Sequence, residues 1–344
     1  MGNTNPQHLD SSHTGTVYTR SQGLYTVHTD DGAIVTCTAS SAFYKELEGW
    51  FDQSASTNIR RKVKKVREIR QVDPVAIGDR VEFVDAGSPE RGLITGILPR
   101  RSKLSRMEPG LERREQIIVS NVDQMIPVIS ARHPYPRWHL LDRYLATAEE
   151  AGIPVVICIT KMDLADRDSV LEDEIATYRK IGYRVLLTSA ESDTGIASMR
   201  GIDAMRRVLR RKVSVVMGIS GVGKSTLLNA IQPGLGARVK AISEITGKGR
   251  HTTTQLQLYP LEGGGGVIDT PGMKMFGLWH IEPAELALYF REMKPYVGTC
   301  KFGLDCTHIH EPGCSVLVAV DAGMITHRRY ESYVYLRDHL DPEY

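Results

Sequence analysis

The sequence predicts an α/β domain built around a phosphate-binding loop, set between a small N-terminal β-barrel and a C-terminal segment carrying a cysteine–histidine cluster. Three observations carry that expectation. Short β-prone segments separated by turn signals fill the N-terminal part. The stretch Gly218-Ile219-Ser220-Gly221-Val222-Gly223-Lys224-Ser225-Thr226 has the form G-x-x-x-x-G-K-S, between an apolar run and a helix-like run. Cys300, Cys306, His308 and Cys314 share one short loop.

The chain has 344 residues, enough for two or three domains rather than one. With 41% hydrophobic and 24% charged residues, it reads as an ordinary soluble globular chain. A net charge of +2 excludes a polycation, so any nucleic-acid footprint has to be local. No apolar run is long enough to span a bilayer, so no membrane partner is expected. Met1 to Ser12 is polar and lacks the apolar core of a signal peptide. Clustered cysteines read as metal ligands in a reducing compartment rather than a disulfide framework, and the expected location is cytoplasmic.

Residues 1–13 are expected to form a disordered lead-in, and 14–108 a five-stranded barrel of the oligonucleotide-binding (OB) type. The strand segments are Thr16–Thr19, Leu24–His28, Ala33–Thr38, Val75–Val84 and Gly92–Leu98, with Asp31-Gly32 as a turn signal. Strand count alone does not fix topology, so another small β-barrel competes. Two basic stretches, Arg60–Arg70 and Arg100–Arg106, read either as solvated faces or as phosphate contacts. Ala42–Asn58, with Phe43, Tyr44, Trp50 and Phe51, reads as an inserted helix or a stacking surface.

From 109 to 280 the pattern becomes strand–helix alternation. Gln116–Ser120 and Asn121–Ser130 read as strands, Leu140–Glu150 as a helix ended by Gly152, and Pro154–Ile159 as a buried strand. Thr160-Lys161-Met162-Asp163 follows that strand and matches the T/N-K-x-D guanine motif. The Asp163 carboxylate can accept hydrogen bonds from N1–H and the exocyclic amine of guanine. Adenine would leave it unpaired, at a cost of about 1–3 kcal/mol. Lys161 offers an aliphatic stem to the base plane, and Thr160 a hydrogen bond to the phosphate loop. The strand Arg184–Thr188 leads to Ser189-Ala190, where a backbone N–H would meet the guanine O6. Gly195–Leu209 reads as a helix with Arg206 and Arg207 in its last turn, and Arg210 and Arg211 just after.

Val213–Met217 is then a buried strand, and Thr226–Ile231 opens a helix. Between them the glycines let successive N–H groups turn toward one point; a Cβ at Gly223 is expected to crowd that cradle. Lys224 supplies positive charge for the outer phosphates and Ser225 a hydroxyl for Mg²⁺. Because the guanine motif precedes the loop, the order is circularly permuted. The expected fold is an α/β P-loop GTPase domain, circularly permuted, with an N-terminal OB-type β-barrel and a C-terminal zinc-binding helical domain. Lys240–Thr254 reads as the first switch, with Thr253 as the Mg²⁺ and γ-phosphate contact and Thr252 and Thr254 as near competitors. Gln255–Tyr259 and Val267–Ile268 form a strand pair turned at Gly263–Gly266. Asp269-Thr270-Pro271-Gly272 is a D-x-x-G motif: Asp269 for Mg²⁺, the Gly272 N–H for the γ-phosphate. Met273 stands where a Ras-type GTPase has its water-orienting glutamine, and a thioether cannot do that work. His251 is the candidate replacement, against the plainer reading of a solvated loop histidine. Slow intrinsic hydrolysis that needs a partner follows.

Residues 281–344 begin with Glu282–Lys294, read as a helix with Pro283 in its first turn. Cys300, Cys306, His308 and Cys314 then offer a closed Cys₃His set for one structural Zn²⁺, with His310 as an alternative to His308. Such an ion contributes about 10–16 kcal/mol of apparent binding energy to a loop with little core. Asp321–His339 reads as a final helix on which Arg328, Arg329, Tyr330, Tyr333 and Tyr335 either pack inward or contact RNA.

Together these stretches, with Gly78-Asp79-Arg80-Val81 and Ile97–Ser102 in the barrel, resemble the RsgA (YjeQ) family of ribosome-associated GTPases from about Thr14 to the C-terminus. The resemblance implies a GTP hydrolase with GTP/GDP, Mg²⁺ and one structural Zn²⁺. It implies binding to the small ribosomal subunit and its rRNA near the decoding region, a role in late maturation, and release coupled to hydrolysis. It also implies that His251 is the hydrolysis residue; a monomer is expected. Two features depart from the family pattern: the Cys300–Cys306 interval is one residue longer, and Ala42–Asn58 looks inserted. A P-loop ATPase or nucleotide kinase is disfavoured by Thr160–Asp163. A non-catalytic RNA-binding protein holding GTP as a structural ligand is disfavoured by Lys224, Ser225 and Asp269.

Overall fold

The structure is a computed structural model and describes residues 12–21, 23–40, 43, 74–107, 115–165, 168–189, 196–239, 256–270, 278 and 281–340. The expected features at 44–58 and 60–70, and Ala190, His251, Thr253 and Gly272, lie outside the described residues. The chain divides into two compact units.

In the first unit, strands β1 (His13–Ser21), β2 (Leu24–Thr29), β3 (Ile34–Ala39), β4 (Arg80–Ser88) and β5 (Arg91–Ile97) close into a barrel in the order β1-β2-β3-β5-β4. Closure requires two long-range pairings, β1 antiparallel to β4 and β3 parallel to β5. That is a five-stranded Greek-key barrel of the OB kind. The period of two in each strand puts Tyr25 and Val27, Val35 and Cys37, and Val81 and Phe83 inside. Phe43 joins that core. The fourth strand starts later than its apolar pattern suggests. Asp79, fully buried, accepts from Arg100 Nε and Nη2 at 2.6 Å each, from Ser120 Oγ at 2.6 Å and from the Ala76 N–H at 2.7 Å. A buried carboxylate needs that many donors, and meeting them bends 75–79 out of the ladder. The stretches 78–81 and 97–102 therefore meet at one ion pair. Strands β6 (Lys103–Met107) and β7 (Glu115–Ser120) pair with each other as a separate two-stranded ribbon.

The second unit holds a six-stranded sheet in the order β10-β9-β8-β11-β13-β12. Its strands are β8 (Gln124–Ser130), β9 (Val156–Thr160), β10 (Arg184–Leu187), β11 (Lys212–Met217), β12 (Leu258–Pro260) and β13 (Gly265–Asp269). β8 to β11, β8 to β9, β9 to β10 and β11 to β13 are all parallel. Helices α1 (Trp138–Glu150), α2 (Ser169–Lys180), α3 (Ile196–Leu209) and α4 (Lys224–Ile231) lie in the connections. Every residue of β8 and β9 is buried, as expected of central strands covered on both faces.

The C-terminal part of this unit packs around Leu286, Phe290, Met293, Val316, Val320, Tyr333 and Leu336, with Ala146 of α1 in the same cluster. Here two expectations are corrected. Glu282–Lys294 is not one helix but turns with a 3₁₀ segment at Leu286–Tyr289, followed by another at Lys294–Tyr296. Phe290 is extended there, because Phe290 and Met293 both enter the core while Arg291 and Glu292 reach Glu149 and Arg329. The last helix is shorter than Asp321–His339: Asp321 ends a separate helix, α5 (Ser315–Asp321), and α6 (His327–Asp338) starts only at His327, capped by Thr326, whose hydroxyl accepts from the Arg329 N–H.

α6 is fastened to α1 by ions. Asp142, 1% exposed, accepts from Arg329 Nη1, from Arg328 Nη1 at 2.6 Å and from the Tyr178 hydroxyl at 2.5 Å. Arg329 also pairs with Glu292 at 2.5 Å, and Arg328 with Glu174 at 2.7 Å. Burial works against ionisation of Asp142, but the Arg329 and Arg328 guanidiniums outweigh it and hold the carboxyl below its usual range. Arg328 and Arg329 thus pack inward. Arg329→Ala strips Glu292 of this ion pair and leaves Asp142 with only Arg328 and Tyr178, so urea unfolding should show a loss of about 3–5 kcal/mol. A loss under about 1 kcal/mol would mean the network contributes nothing net.

Candidate functional site

The phosphate loop leaves β11 at Gly218 and enters α4 at Lys224. A Cβ at Gly218 would lie 2.4 Å from the Val128 carbonyl oxygen, so β8 and the loop touch backbone to backbone. At Gly223 the nearest protein atom to a Cβ would be Thr160 Oγ1 at 3.4 Å, an ordinary contact. Glycine is required there because φ is +90°, as the N-cap of α4. The helix N-terminus directs its free N–H groups and positive dipole end toward the loop.

Lys224, half-buried, donates to the Gly218 and Ile219 carbonyls at 2.6 and 3.1 Å. Burial lowers its pKa while Asp269 raises it. Asp269 ends β13, the strand beside β11, and is 4% exposed. Its Oδ1 has no hydrogen-bond partner among the described residues. Burial pushes its carboxyl up to about 6, with Lys224 opposing. A buried carboxylate oxygen without a donor among the described residues, close enough to Lys224 of the loop for each to shift the other's pKa, suits a hard, oxygen-seeking cation accompanying an anion.

Thr160 ends β9 and its hydroxyl donates to the Val222 carbonyl, with the Ile129 carbonyl 3.2 Å away. It is the tie between base loop and phosphate loop that the sequence led one to expect. Lys161, at φ +56°, adds a second tie by donating to the Gly221 carbonyl at 2.7 Å and to the His133 carbonyl. Asp163 is exposed, and the Ser189 hydroxyl donates to its Oδ1, steadying a carboxylate that faces solvent. Met162 sits in the 3₁₀ turn between them. The loop between β8 and α1 was missed as part of this site. Its signal was the paired prolines Pro134 and Pro136, which hold an irregular turn where His133 can offer its carbonyl.

In the C-terminal part, one ligand atom from each of Cys300, Cys306, His308 and Cys314 lies within 4.8 Å of the others, and all four residues are buried. Cys300 and Cys314 sulfurs are 3.8 Å apart; His308 Nδ1 is 3.5 Å from one and 3.4 Å from the other. Zn–S bonds of about 2.3 Å in a tetrahedron put sulfurs about 3.8 Å apart, so the set fits zinc. His310 is exposed and lies outside the set. Glu311 shapes the loop by accepting from the Thr307, Ile309 and His310 N–H groups at 2.8, 3.0 and 3.2 Å. Tyr330 and Tyr333 donate to the His308 and Thr307 carbonyls at 3.0 and 2.9 Å, so these two tyrosines also face inward. Tyr335 is 45% exposed. Among the described residues, no helix is long and apolar enough to cross a membrane.

The Asp269 carboxyl makes a prediction with a definite sign. Its folded pKa of about 6 exceeds the ordinary 3.8. Its contribution to stability is therefore fully present below about pH 4 and lost as pH rises through about 6. In Mg²⁺- and nucleotide-free buffer, Asp269→Asn should stabilise the protein at about pH 8 by at most about 2–3 kcal/mol, and much less at about pH 4.5. Equal unfolding free energies for variant and wild type at both pH values would contradict the strain.

Residues 97–279 match the family model described as RsgA GTPase. A protein of Gemmatimonas aurantiaca named small ribosomal subunit biogenesis GTPase RsgA is 38% identical over 336 residues, 96% of this chain and 99% of that one. One of the same name from Bacteroides fragilis is 36% identical over 322 residues, covering 93% and 94%. Among solved structures, YjeQ from Thermotoga maritima superposes with a TM-score of 0.70 at 30% identity, over 96% of this chain and 98% of that one. YloQ, described as a circularly permuted GTPase, gives 0.65 at 28% identity over 99% and 100%.

Proposed function

The chain belongs to the RsgA GTPase family, and on that premise we propose that this GTP-hydrolysing enzyme of small ribosomal subunit biogenesis binds the subunit with GTP and leaves on hydrolysis. The observation that carries the reading is the double tie of Thr160 and Lys161 to the phosphate loop, because it holds a base-reading carboxylate and a phosphate cradle at fixed separation. Backbone N–H groups of Gly218–Thr226 receive the phosphates. Lys224 exchanges its two loop carbonyls for phosphate oxygens, an exchange that restores full charge pairing in a low-dielectric site. Ser225 and Asp269, with Thr253, are the Mg²⁺ ligands; the ion would neutralise charge on the outer phosphates. Asp163 reads the guanine edge, and Ser189 holds it in place while Ala190 offers its N–H to O6. The Gly272 N–H senses the γ-phosphate, and His251 orients the attacking water in place of the glutamine that Met273 replaces. Cys300, Cys306, His308 and Cys314 hold a structural Zn²⁺, since four protein ligands leave no open position. The barrel of 14–108 and the segment 281–344 contact rRNA, while the nucleotide domain of 109–280 hydrolyses GTP. The enzyme acts as a cytoplasmic monomer.

GTP turnover measured with and without small ribosomal subunits, with ATP as control, tests the reading. Slow turnover should rise with subunits for GTP alone, and His251→Ala should keep GTP affinity while losing the rise. Turnover indifferent to subunits would overturn the reading, and an unimpaired His251→Ala would remove that residue's role. Asp163→Asn should weaken GTP binding at least about tenfold, or about 1.4 kcal/mol, and admit xanthosine nucleotides, whose extra carbonyl accepts from an amide. Unchanged GTP affinity would remove Asp163 from base recognition.

A further inference from the structure

A second basic site lies at the opposite end of β11 from the phosphate loop. There the last turn of α3, the end of α4 and the turn between β12 and β13 enclose an open cleft of about 330 Å³. Its walls carry Arg206, Arg207 and Arg210, its floor Ile231 and Leu261, and its rim the turn at Gly263.

The arginines divide by what they already do. Arg206 has a structural role. It donates to the Ala230 and Ile231 carbonyls at 2.6 and 3.1 Å, closing the end of α4, and pairs with Asp203 at 2.8 Å. Arg207, Arg210 and Arg211 are exposed, and their side chains have neither hydrogen bond nor ion pair among the described residues. Yet two of them are held in place. The Arg211 N–H donates to the Gly264 carbonyl at 2.9 Å, and Arg211 takes φ +57°. The Arg210 and Arg211 stems pass 3.7 and 3.4 Å from where Cβ atoms at Gly263 and Gly264 would stand, so the bare glycine turn is their bed. The rim is itself fixed: the Glu262 N–H donates to Gln232 Oε1 at 3.0 Å. Among the described residues, Glu262 is the single acidic residue lining the cleft.

A helix C-terminus favours some basic charge through its dipole, but one or two residues satisfy that. Three further guanidiniums without partners among the described residues, in a chain of net charge only +2, are a concentrated positive field that attracts anions. Arg207 and Arg210 stand one helical turn apart, with Cβ atoms about 5–6 Å from each other, a spacing that can engage neighbouring phosphates of one strand. The apolar floor suits a ribose or base face. The strand β11, six residues long, and α4, eight residues long, both run between the phosphate loop and this cleft, spans of about 20 Å and about 12 Å, so both sites can be filled at once.

We propose that the cleft lined by Arg207 and Arg210 and rimmed by the Gly263–Gly264 turn, with Arg211 beside that rim, is an RNA-backbone site that takes phosphodiester groups. The assignment of that RNA to the small ribosomal subunit rests on the function proposed above. The substitutions to test it are Arg207→Gln with Arg210→Gln, and the charge-reversed pair Arg207→Glu with Arg210→Glu, in the full chain. Arg206 stays because it caps α4. For small subunits, affinity should fall about fivefold or more in the Gln pair and further in the Glu pair. The slope of log affinity against log salt should flatten by about 1–2 as those contacts vanish. Nucleotide affinity, intrinsic GTP turnover and thermal unfolding should match wild type, which separates the cleft from the catalytic site and from misfolding. Unchanged affinity and slope would overturn the proposal. If wild type itself does not bind subunits, the functional reading falls, and a fluorescein-labelled RNA 12-mer decides the cleft alone: loss of 12-mer binding in the Gln pair supports it, no loss overturns it. Stabilisation by inorganic phosphate or AMP that the Gln pair abolishes, with RNA affinity intact, would make this a small-phosphate site and overturn the RNA assignment.

Discussion

A carboxylate buried in α1 governs how the second unit is put together. Asp142 is almost wholly removed from water, and only Arg328, Arg329 and Tyr178 make its charge tolerable there. Those partners come from the C-terminal helix and from α2, so the metal-loop segment completes an ion network that begins in the nucleotide domain. Without either side, a bare charge would remain in a low-dielectric interior. The same helix reaches the other way: Tyr144 and Leu140 line a small cavity with Gly218 and Ile219. α1 is thus a shared wall, touching the phosphate loop at one end of its surface and the Cys₃His segment at another.

The phosphate site shows the opposite electrostatic logic. At Asp142 every charge has a partner; at the loop, Lys224 makes do with two carbonyls and one oxygen of Asp269 has no donor among the described residues. Under the function proposed above, such groups would be satisfied when an anion and a cation enter together. The base-reading end carries no such strain, since Asp163 faces water and leans on Ser189. In the proposed function, affinity for phosphate and choice of base are therefore separated along the chain and joined through the hydrogen bonds of Thr160 and Lys161 to the loop.

The strand β11 organises a further division. Its C-terminal end opens into the loop proposed to receive phosphates of a nucleotide. Its N-terminal end abuts the arginine cleft and the glycine turn. Both are proposed anion sites, and they are made differently. The loop uses backbone N–H groups and a helix dipole, which fix geometry closely. The cleft uses long side chains on a helix end, which tolerate a varied polyanion.

Several features were legible before any fold was known, because their chemistry sits in contiguous residues. Gly218–Thr226, Thr160–Asp163, Asp269 and the Cys₃His set are each spaced by local geometry, and their order along the chain already spelled the permutation. The alternation of Tyr25 with Val27 and of Val81 with Phe83 likewise announced barrel strands. Other features depended on partners far away in sequence. Whether Arg328 and Arg329 faced solvent or core turned on Asp142, nearly two hundred residues earlier, at separations of 186 and 187. Helical spacing in Glu282–Lys294 was overruled when Phe290 and Met293 took core positions that a single helix did not supply. His308 rather than His310 joined the cysteines through the path of the loop, with Tyr330 and Tyr333 gripping the carbonyls of His308 and Thr307. Sequence alone determined which chemical groups the protein owns and their order, since motifs are short-range. Only tertiary structure decided which charges are paired, because burial and long-range contact set the cost of leaving any of them alone.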